Sequence, residues 1–187
     1  MGRDKAELVL GGETLARRLG RLLGAVASPV LEVGPGRSGL ESIREEPIGA
    51  GPLVAVVAGA EALASRAALE SALVLACDLP LLTEEALRAI ATHPADASVV
   101  PVLDGAAQPL CARWSAEDLG RAAALVAQGE RSMRALLAVT SPVLLDAARL
   151  PNGPDVLADV DTPEALIALG LVAENVADDA SSTDTLG

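Results

Sequence analysis

Aromatic side chains are almost absent from this sequence: Trp114 is the single tryptophan, and the 187 residues include no tyrosine or phenylalanine. Proteins that bind single-stranded nucleic acid stack aromatic rings on the bases, so the composition argues against that class. We expect Trp114 to anchor the core instead. Duplex DNA and anionic membrane surfaces both require a basic protein surface, and the net charge of -12 at pH 7 argues against them too.

Cysteine and histidine are also scarce. Cys77 and Cys111 lie in apolar runs typical of buried strands, and two cysteines are too few for a disulfide framework. His93 is the single histidine, so a Ser-His-Asp triad or a zinc cluster is hard to build. A reducing compartment is the simplest setting, and we expect a cytoplasmic protein.

Long hydrophobic runs are missing as well. The longest apolar stretch, roughly residues 52–60, is far short of the ~20 residues that a membrane span requires, and the N-terminal MGRDKAEL has no apolar signal core. The length favours one domain, which we place at residues 1–172. Residues 173–187 are acidic and have no core pattern, which predicts a disordered tail.

Hydrophobic periodicity predicts several helices. Between residues 13 and 26, leucines recur at the spacing of one helix face, with arginines opposite. Pro52 suits the first turn of a second helix, and Thr83 and Ser115 are expected to cap two others. The predicted helices cover residues 13–26, 52–64, 84 onward, 116–128, 132–138 and 162–170.

Short apolar runs that end at turn residues predict the strands. Residues 71–77 (SALVLAC) form an unbroken run, as in a strand that is covered on both faces. Strands are also predicted at 29–33 and 156–160, and the runs 97–102 and 109–112 could form a hairpin. Strands that alternate with helices favour an α/β fold with a mostly parallel sheet and helices on both faces.

Two aspartates, Asp78 and Asp161, follow apolar strands and precede proline-containing turns. Ligands of open α/β sheets bind at the carboxyl ends of the strands, so these carboxylates could converge at one edge. Such a pair would suit Mg²⁺, which takes one or two carboxylates together with substrate phosphates. The alternative is that both residues only cap the helices that follow them.

Two further features concern phosphate binding. Lys5 is the single lysine against thirteen arginines, and in its glycine-led segment it could contact phosphates, although a solvated surface lysine is the ordinary alternative. Residues 34–39 (GPGRSG) match the GxGxxG pattern of dinucleotide-binding loops. A proline and two glycines interrupt the following dozen residues, so no helix opens there, and we do not expect a dinucleotide site.

Seven motifs span about 170 residues: MGRDKAEL at 1–8, GGETLARRL at 11–19, EEPIGAGPLVAV at 45–56, LACDLPLL at 75–82, QPLCARW at 108–114, GERSMRALL at 129–137 and DVDTPEAL at 159–166. In this order they resemble the molybdenum cofactor guanylyltransferase family, the MobA-like nucleotidyltransferases. The resemblance implies a three-layer Rossmann-like nucleotidyltransferase fold. It also implies Mg²⁺-dependent transfer of GMP from GTP to molybdopterin, with release of pyrophosphate. Such chemistry needs positioning and charge neutralisation rather than a covalent nucleophile.

The resemblance implies roles for individual residues. Lys5 and Asp78 would be catalytic, Lys5 by holding the phosphates and Asp78 by binding Mg²⁺. Asp161 would be a second metal ligand or a water-mediated partner, with Asp159 as a neighbour. The residues implied at the nucleotide site are Gly2, Arg3, Lys5, Glu45, Gly51, Pro52, Leu53 and Asp78. Those implied on the molybdopterin side are Gln108, Pro109, Arg131 and Arg134.

The sequence departs from the family pattern at its beginning. The family loop reads LAGGxSxRMGxDK after an apolar strand, and this sequence begins at the Met of RMG. We therefore expect the fold to lack its first strand and half of the phosphate loop. In this topology that strand lies in the middle of the sheet, so its loss would leave backbone groups unsatisfied on both neighbouring edges.

Alternative functions stay open. Transfer of CMP, or action on another phosphorylated acceptor, would use the same chemistry, although the QPLCA motif resembles the guanylyl branch. A non-catalytic homologue that binds nucleotide or cofactor is the alternative from a different class, and the incomplete loop motivates it. The implied partners are GTP and molybdopterin, with maturation proteins of molybdoenzymes as candidates, but neither nucleic acid nor a membrane.

Overall fold

Hydroxyl side chains cap four of the five α-helices in the computed structural model, which describes residues 5–159. Each cap accepts a hydrogen bond from the backbone N–H three residues later, which satisfies one of the donors left open at a helix start. The remaining helix begins at Pro52. The helices are α1 (Leu15–Val26), α2 (Pro52–Ala64), α3 (Glu84–Ala91), α4 (Ala116–Ala127) and α5 (Met133–Val139).

These bounds agree with the predicted helices to within about two residues, apart from the helix expected at 162–170. That helix, the domain boundary at 172 and the acidic tail lie outside the described residues. Within residues 5–159, no helix is long and apolar enough to cross a membrane.

Nine strands form one larger sheet and two small pairs. The strands are β1 (Val9–Leu10), β2 (Glu13–Thr14), β3 (Glu32–Val33), β4 (Ser42–Ile43), β5 (Ser71–Leu75), β6 (Val99–Leu103), β7 (Ala106–Ala107), β8 (Cys111–Ser115) and β9 (Val143–Asp146), all within the described part of the chain. In the larger sheet the order is β5-β8-β6-β7, and β9 also pairs with β6. The small pairs are an antiparallel hairpin of β1 and β2 and a parallel pair of β3 and β4.

The larger sheet is mixed rather than mostly parallel. β8 runs antiparallel to both β5 and β6, while β9 runs parallel to β6. The expected turn at Asp104 and Gly105 does form, but its return strand is the short β7. The chain then continues into β8, which pairs along its whole length with β5. β6 and β8 are antiparallel neighbours, with Val99 in register with Arg113, so the two predicted runs are adjacent, but β7 lies between them in the chain.

The strand predicted at 156–160 is wrong in its described part. Pro154–Leu157 is a 3-10 helix, preceded by Gly153 with a φ of +80°. Pro154 favours a helical turn there because its ring fixes φ near the helical value. Val156 and Leu157 are nonetheless buried, so the apolar run marks the core correctly and the backbone conformation incorrectly.

Two hydrophobic clusters lie on opposite faces of the larger sheet. Val99 faces the cluster formed with α1 and α3, and its neighbour Val100 faces the cluster formed with α2, α4 and α5, since successive strand side chains point to opposite faces. This is the expected three-layer arrangement. Trp114 is fully buried in the second cluster, which confirms its expected role as a core anchor.

One edge of the larger sheet is open. Within residues 5–159, β5 pairs only with β8, and no strand pairs with its other edge. A cavity of about 660 Å³ lies between that edge and β3, with α1 and α2 as its walls. An incomplete sheet at this position is what the resemblance implied.

Candidate functional site

Asp78 lies at the carboxyl end of β5, as predicted. Just before it, the backbone N–H of Ala76 donates to the carbonyl of Leu110 at 2.7 Å, so the end of β5 is joined to the segment that leads into β8. Burial raises the pKa of the Cys111 thiol to about 12, and the negative charge of Asp78 contributes to that shift. Asp78 is therefore close to Cys111 at the start of β8, and it is partly buried.

Gln108 and Pro109 lie in the segment that leads into β8, next to the end of β5. The backbone N–H of Gln108 donates to the carbonyl of Pro101, and the indole N–H of Trp114 donates to the carbonyl of Pro109 at 3.0 Å. The hydrogen bond from the buried tryptophan thus fixes the position of Pro109. The hydrogen bond between Ala76 and Leu110 thus places the segment that contains Gln108 and Pro109 next to the end of β5.

Glu45 closes its own loop. One of its carboxylate oxygens accepts a hydrogen bond from the backbone N–H of Gly49 at 2.8 Å. This hydrogen bond is the largest contribution that lowers the pKa of Glu45 below its usual value. The carboxylate therefore stays ionised at neutral pH.

The turn at Gly51 is pressed against Arg131. The backbone N–H of Leu53 donates to the Arg131 carbonyl at 3.1 Å. Gly51 has a φ of +114°, and a Cβ atom placed on it would lie 2.9 Å from the same carbonyl oxygen. The turn at Gly51, which was predicted at the nucleotide site, therefore contacts the carbonyl of Arg131, which was predicted on the molybdopterin side.

The two arginines predicted near the acceptor differ in their surroundings. The guanidinium of Arg131 donates to the carbonyls of Val126 and Glu130, so it folds back on the turn that follows α4. Arg134 lies on the first turn of α5 with an exposed side chain. Arg131 therefore holds the turn together through its side chain, and its backbone supports the Gly51 turn.

Several predicted residues are described only in part or not at all. Gly2, Arg3 and Asp161 lie outside the described residues. Lys5 begins a 3-10 helix, Lys5–Glu7, and this turn is anchored where Glu7 forms an ion pair with Arg37. Asp159 is the last described residue and is exposed. The functional roles of all the predicted site residues stay predictions.

The GPGRSG segment has a role that the sequence analysis missed. The Glu32 carboxylate accepts hydrogen bonds from the backbone N–H groups of Gly36, Arg37 and Ser38, and from the Ser38 hydroxyl. Burial opposes ionisation, but these hydrogen bonds outweigh it and lower the pKa of Glu32. The donors that would hold a phosphate are thus occupied by an internal carboxylate. An acidic residue two positions before a glycine-rich turn is the pattern that could have indicated this.

The donor set at the strand ends limits what kind of metal site is possible. Within residues 5–159, no three His, Cys, Asp or Glu side chains are grouped so that they could hold a metal ion. Asp78 supplies a carboxylate near Cys111. One carboxylate with substrate phosphates is an ordinary set of Mg²⁺ ligands, so the residues fit a metal that arrives with a nucleotide.

A family model described as the MobA-like NTP transferase domain matches residues 1–145. Two relatives are each named probable molybdenum cofactor guanylyltransferase. The one from Mycobacterium tuberculosis is 35% identical over 164 residues, which cover 81% of each chain. The one from Opitutus terrae is 38% identical over 146 residues, which cover 74% of this chain and 71% of the relative.

Solved structures show the same fold at low sequence identity. Molybdopterin-guanine dinucleotide biosynthesis protein A from Archaeoglobus fulgidus superposes with a TM-score of 0.66 at 20% identity, covering 89% of both chains. A nucleotidyl transferase from Methanothermobacter superposes with a TM-score of 0.65 at 19% identity, covering 88% of this chain and 82% of the other.

Proposed function

Since this chain belongs to the family of MobA-like NTP transferase domains, we propose that it transfers GMP from GTP to the molybdopterin form of molybdenum cofactor and releases pyrophosphate. The family and the named relatives make the chain a nucleotidyltransferase of molybdenum cofactor biosynthesis. The identities of the nucleotide, the metal and the acceptor are the proposed part.

The observation that carries the proposal is the position of Asp78. On one side of it, residues 108–110 are joined to the end of β5 through the hydrogen bond between Ala76 and Leu110. Pro52 lines the same cavity as Ala76 and Cys77, the two residues before Asp78. The end of β5 therefore lies near the segments predicted to receive the nucleotide and the acceptor, which supports placing the reacting phosphates at Asp78.

In the proposed reaction, an oxygen of the molybdopterin phosphate bonds to the α-phosphorus of GTP while the bond to pyrophosphate breaks. Asp78, with Asp161 as its predicted partner, would hold Mg²⁺, which neutralises charge on the phosphates. Lys5 would contact the same phosphates as a point charge. Positioning of two anionic substrates against this charge is the chain's main contribution to the rate.

Glu45 supports guanine over cytosine. Its carboxylate is ionised and accepts a hydrogen bond from Gly49, and the two oxygens of a carboxylate together can accept about four hydrogen bonds. Guanine presents two adjacent N–H donors on its pairing edge, and cytosine presents one amino group. A carboxylate acceptor next to the turn at Gly51, Pro52 and Leu53 therefore favours the base with more donors.

The test compares two isosteric substitutions. Asp78→Asn removes the charge at the proposed site. Asp96→Asn makes the same chemical change on an exposed loop before β6, at the opposite end of the sheet, because β6 runs in the same direction as β5. We expect Asp78→Asn to lose roughly 10²-fold or more in GMP transfer while its fold is retained, and Asp96→Asn to match the unmodified chain.

Four outcomes would contradict parts of the proposal. Equal activity of the two variants would remove Asp78 from the site. Preference for CTP in a calorimetric titration with Mg²⁺ would favour the cytidylyl alternative, and turnover with a different phosphorylated acceptor would replace molybdopterin. Nucleotide binding without any transfer would favour the non-catalytic homologue. Maturation proteins as partners stay a prediction.

A further inference from the structure

Backbone hydrogen bonds hold most of the turn that leads into β8. The N–H of Cys111 donates to the carbonyl of Gln108 at 3.0 Å, which closes the turn. The N–H of Gln108 donates to a carbonyl of β6 at 2.8 Å. The carbonyl of Leu110 accepts from the N–H of Ala76 at 2.7 Å. These hydrogen bonds attach the first and third residues of the turn to neighbouring strands.

Pro109, the second residue of this turn, is held by a side chain instead. A proline has no backbone N–H, so its carbonyl is the single hydrogen-bonding group that its backbone offers. That carbonyl accepts from the indole N–H of Trp114 at 3.0 Å. Trp114 is fully buried in the cluster formed with α2, α4 and α5, where close packing holds its ring in one orientation. The orientation of the indole therefore determines the position of the Pro109 carbonyl.

The side chain of Gln108 depends on this turn for its own position. Its amide nitrogen donates to the carbonyl of Ala106 at 3.4 Å, which is long for a hydrogen bond. The side chain is only partly buried, so it is available to contact a substrate. The bond between Ala76 and Leu110 places this turn beside the end of β5. A shift of the turn would therefore move Gln108 relative to the strand end that leads to Asp78.

We propose that Trp114 is a positioning residue for the acceptor substrate. Its indole N–H fixes the Pro109 carbonyl and thereby the turn that presents Gln108 beside the end of β5. The inference rests on the proposed function, which assigns Gln108 and Pro109 to the acceptor side. Trp114 is fully buried and acts through the turn rather than by touching the substrate. Nucleotide binding should not depend on it, because the turn at Gly51 is held by the Arg131 carbonyl instead.

A purely structural role for the indole N–H makes a different prediction. The N–H of a buried tryptophan needs a hydrogen-bond acceptor wherever it lies in a protein. If the Pro109 carbonyl served only that need, loss of the N–H would lower stability and affect both substrates alike. A positioning role instead predicts a change that is confined to the acceptor.

Because Trp114 is the single tryptophan, its N–H can be removed without changing the shape of the ring. Biosynthetic replacement of tryptophan by benzothienylalanine, in which sulfur takes the place of the indole nitrogen, alters no other residue. We expect the KM for the acceptor to rise about tenfold, with the KM for GTP unchanged. The N–H of Cys111 should exchange roughly tenfold faster, while that of Ala116, bonded to Glu70 beyond the other end of β8, should keep its rate.

Two substitutions separate the lost hydrogen bond from lost packing. Trp114→Phe also lacks the donor and should raise the KM for the acceptor in the same way. Val100→Ala opens a cavity in the same buried cluster and leaves the hydrogen bond to Pro109 in place. It should lower Tm without changing either KM.

An acceptor KM that is unchanged without the indole N–H would overturn the inference. Equal rises in both KM values, or a comparable rise with Val100→Ala, would overturn it too. Transfer of GMP with any of these results would leave the proposed function standing. Transfer to a different phosphorylated acceptor would contradict the proposed function instead, and the KM of that acceptor in the same variants would decide the role of Trp114.

Discussion

Replacing Gly51 by alanine should destabilise the protein substantially. The backbone at this position has φ +114° and ψ 165°, a region that essentially only glycine adopts, and a side chain there costs about 1–3 kcal/mol. The added Cβ would also lie 2.9 Å from the Arg131 carbonyl oxygen. The turn would have to move, which would break the hydrogen bond from Leu53 to that oxygen at a further cost of about 1 kcal/mol.

The expected loss is therefore about 2–4 kcal/mol in the free energy of unfolding. For a chain of this length, each kcal/mol changes Tm by roughly 2–4 °C, so Tm should fall by roughly 4–16 °C. Urea unfolding followed by circular dichroism gives the free energy, and thermal unfolding gives Tm.

Gly49→Ala is the matched control on the same loop. Gly49 also has a positive φ, +74°, but no atom lies within 4 Å of its hypothetical Cβ. Its substitution should cost only the backbone preference, about 1 kcal/mol. If Gly51→Ala were no more destabilising than Gly49→Ala, the close approach to Arg131 would have no energetic consequence and the reasoning would be refuted.

Two further predictions concern ionisable groups. The pKa of Glu32 is lowered in the folded state, so its stabilisation is present above the usual value of 4.5 and is lost as pH falls through the lower folded value. Glu32→Gln should lower the free energy of unfolding by about 1–3 kcal/mol at neutral pH and should make it depend less on pH in the acid range. Glu46 is exposed, and Glu46→Gln serves as the control that should leave the free energy of unfolding unchanged. A thiol reagent at pH 8 should modify the exposed Cys77 rapidly and leave Cys111, whose pKa is about 12, unmodified until the chain unfolds. Rapid modification of both cysteines in the native protein would contradict the burial of Cys111.

Local patterns predicted the helices well because their determinants lie within a few residues. Thr83 and Ser115 accept hydrogen bonds from N–H groups three residues away, so the cap and the helix start are visible together in the sequence. The same holds for Pro52 at the start of α2. The motif around Asp78 likewise placed that residue at a strand end, where the structure has it.

The sequence did not predict how the strands pair or which groups the turns contact. β8 lies between β5 and β6 because its hydrogen bonds join residues about 40 positions apart in the chain, and no local pattern encodes that choice. The apolar residues Val156 and Leu157 are buried from a 3-10 helix, since burial alone does not specify a backbone conformation. The sequence also did not predict that Glu32 accepts hydrogen bonds from the backbone N–H groups of the GPGRSG segment. A carboxylate and a phosphate satisfy such donors equally well, so the pattern alone does not identify the acceptor.

The sequence by itself therefore determined the family, the helices and the identity of the charged and glycine-rich segments. Only the tertiary structure decided that the Gly51 turn rests on the Arg131 carbonyl, that Asp78 lies beside Cys111, and that β5 faces β3 across an open gap. The physical reason is the range of the interactions. Caps and periodicity act over one or two helical turns, whereas strand edges and packed loops are brought together by the burial of the whole chain.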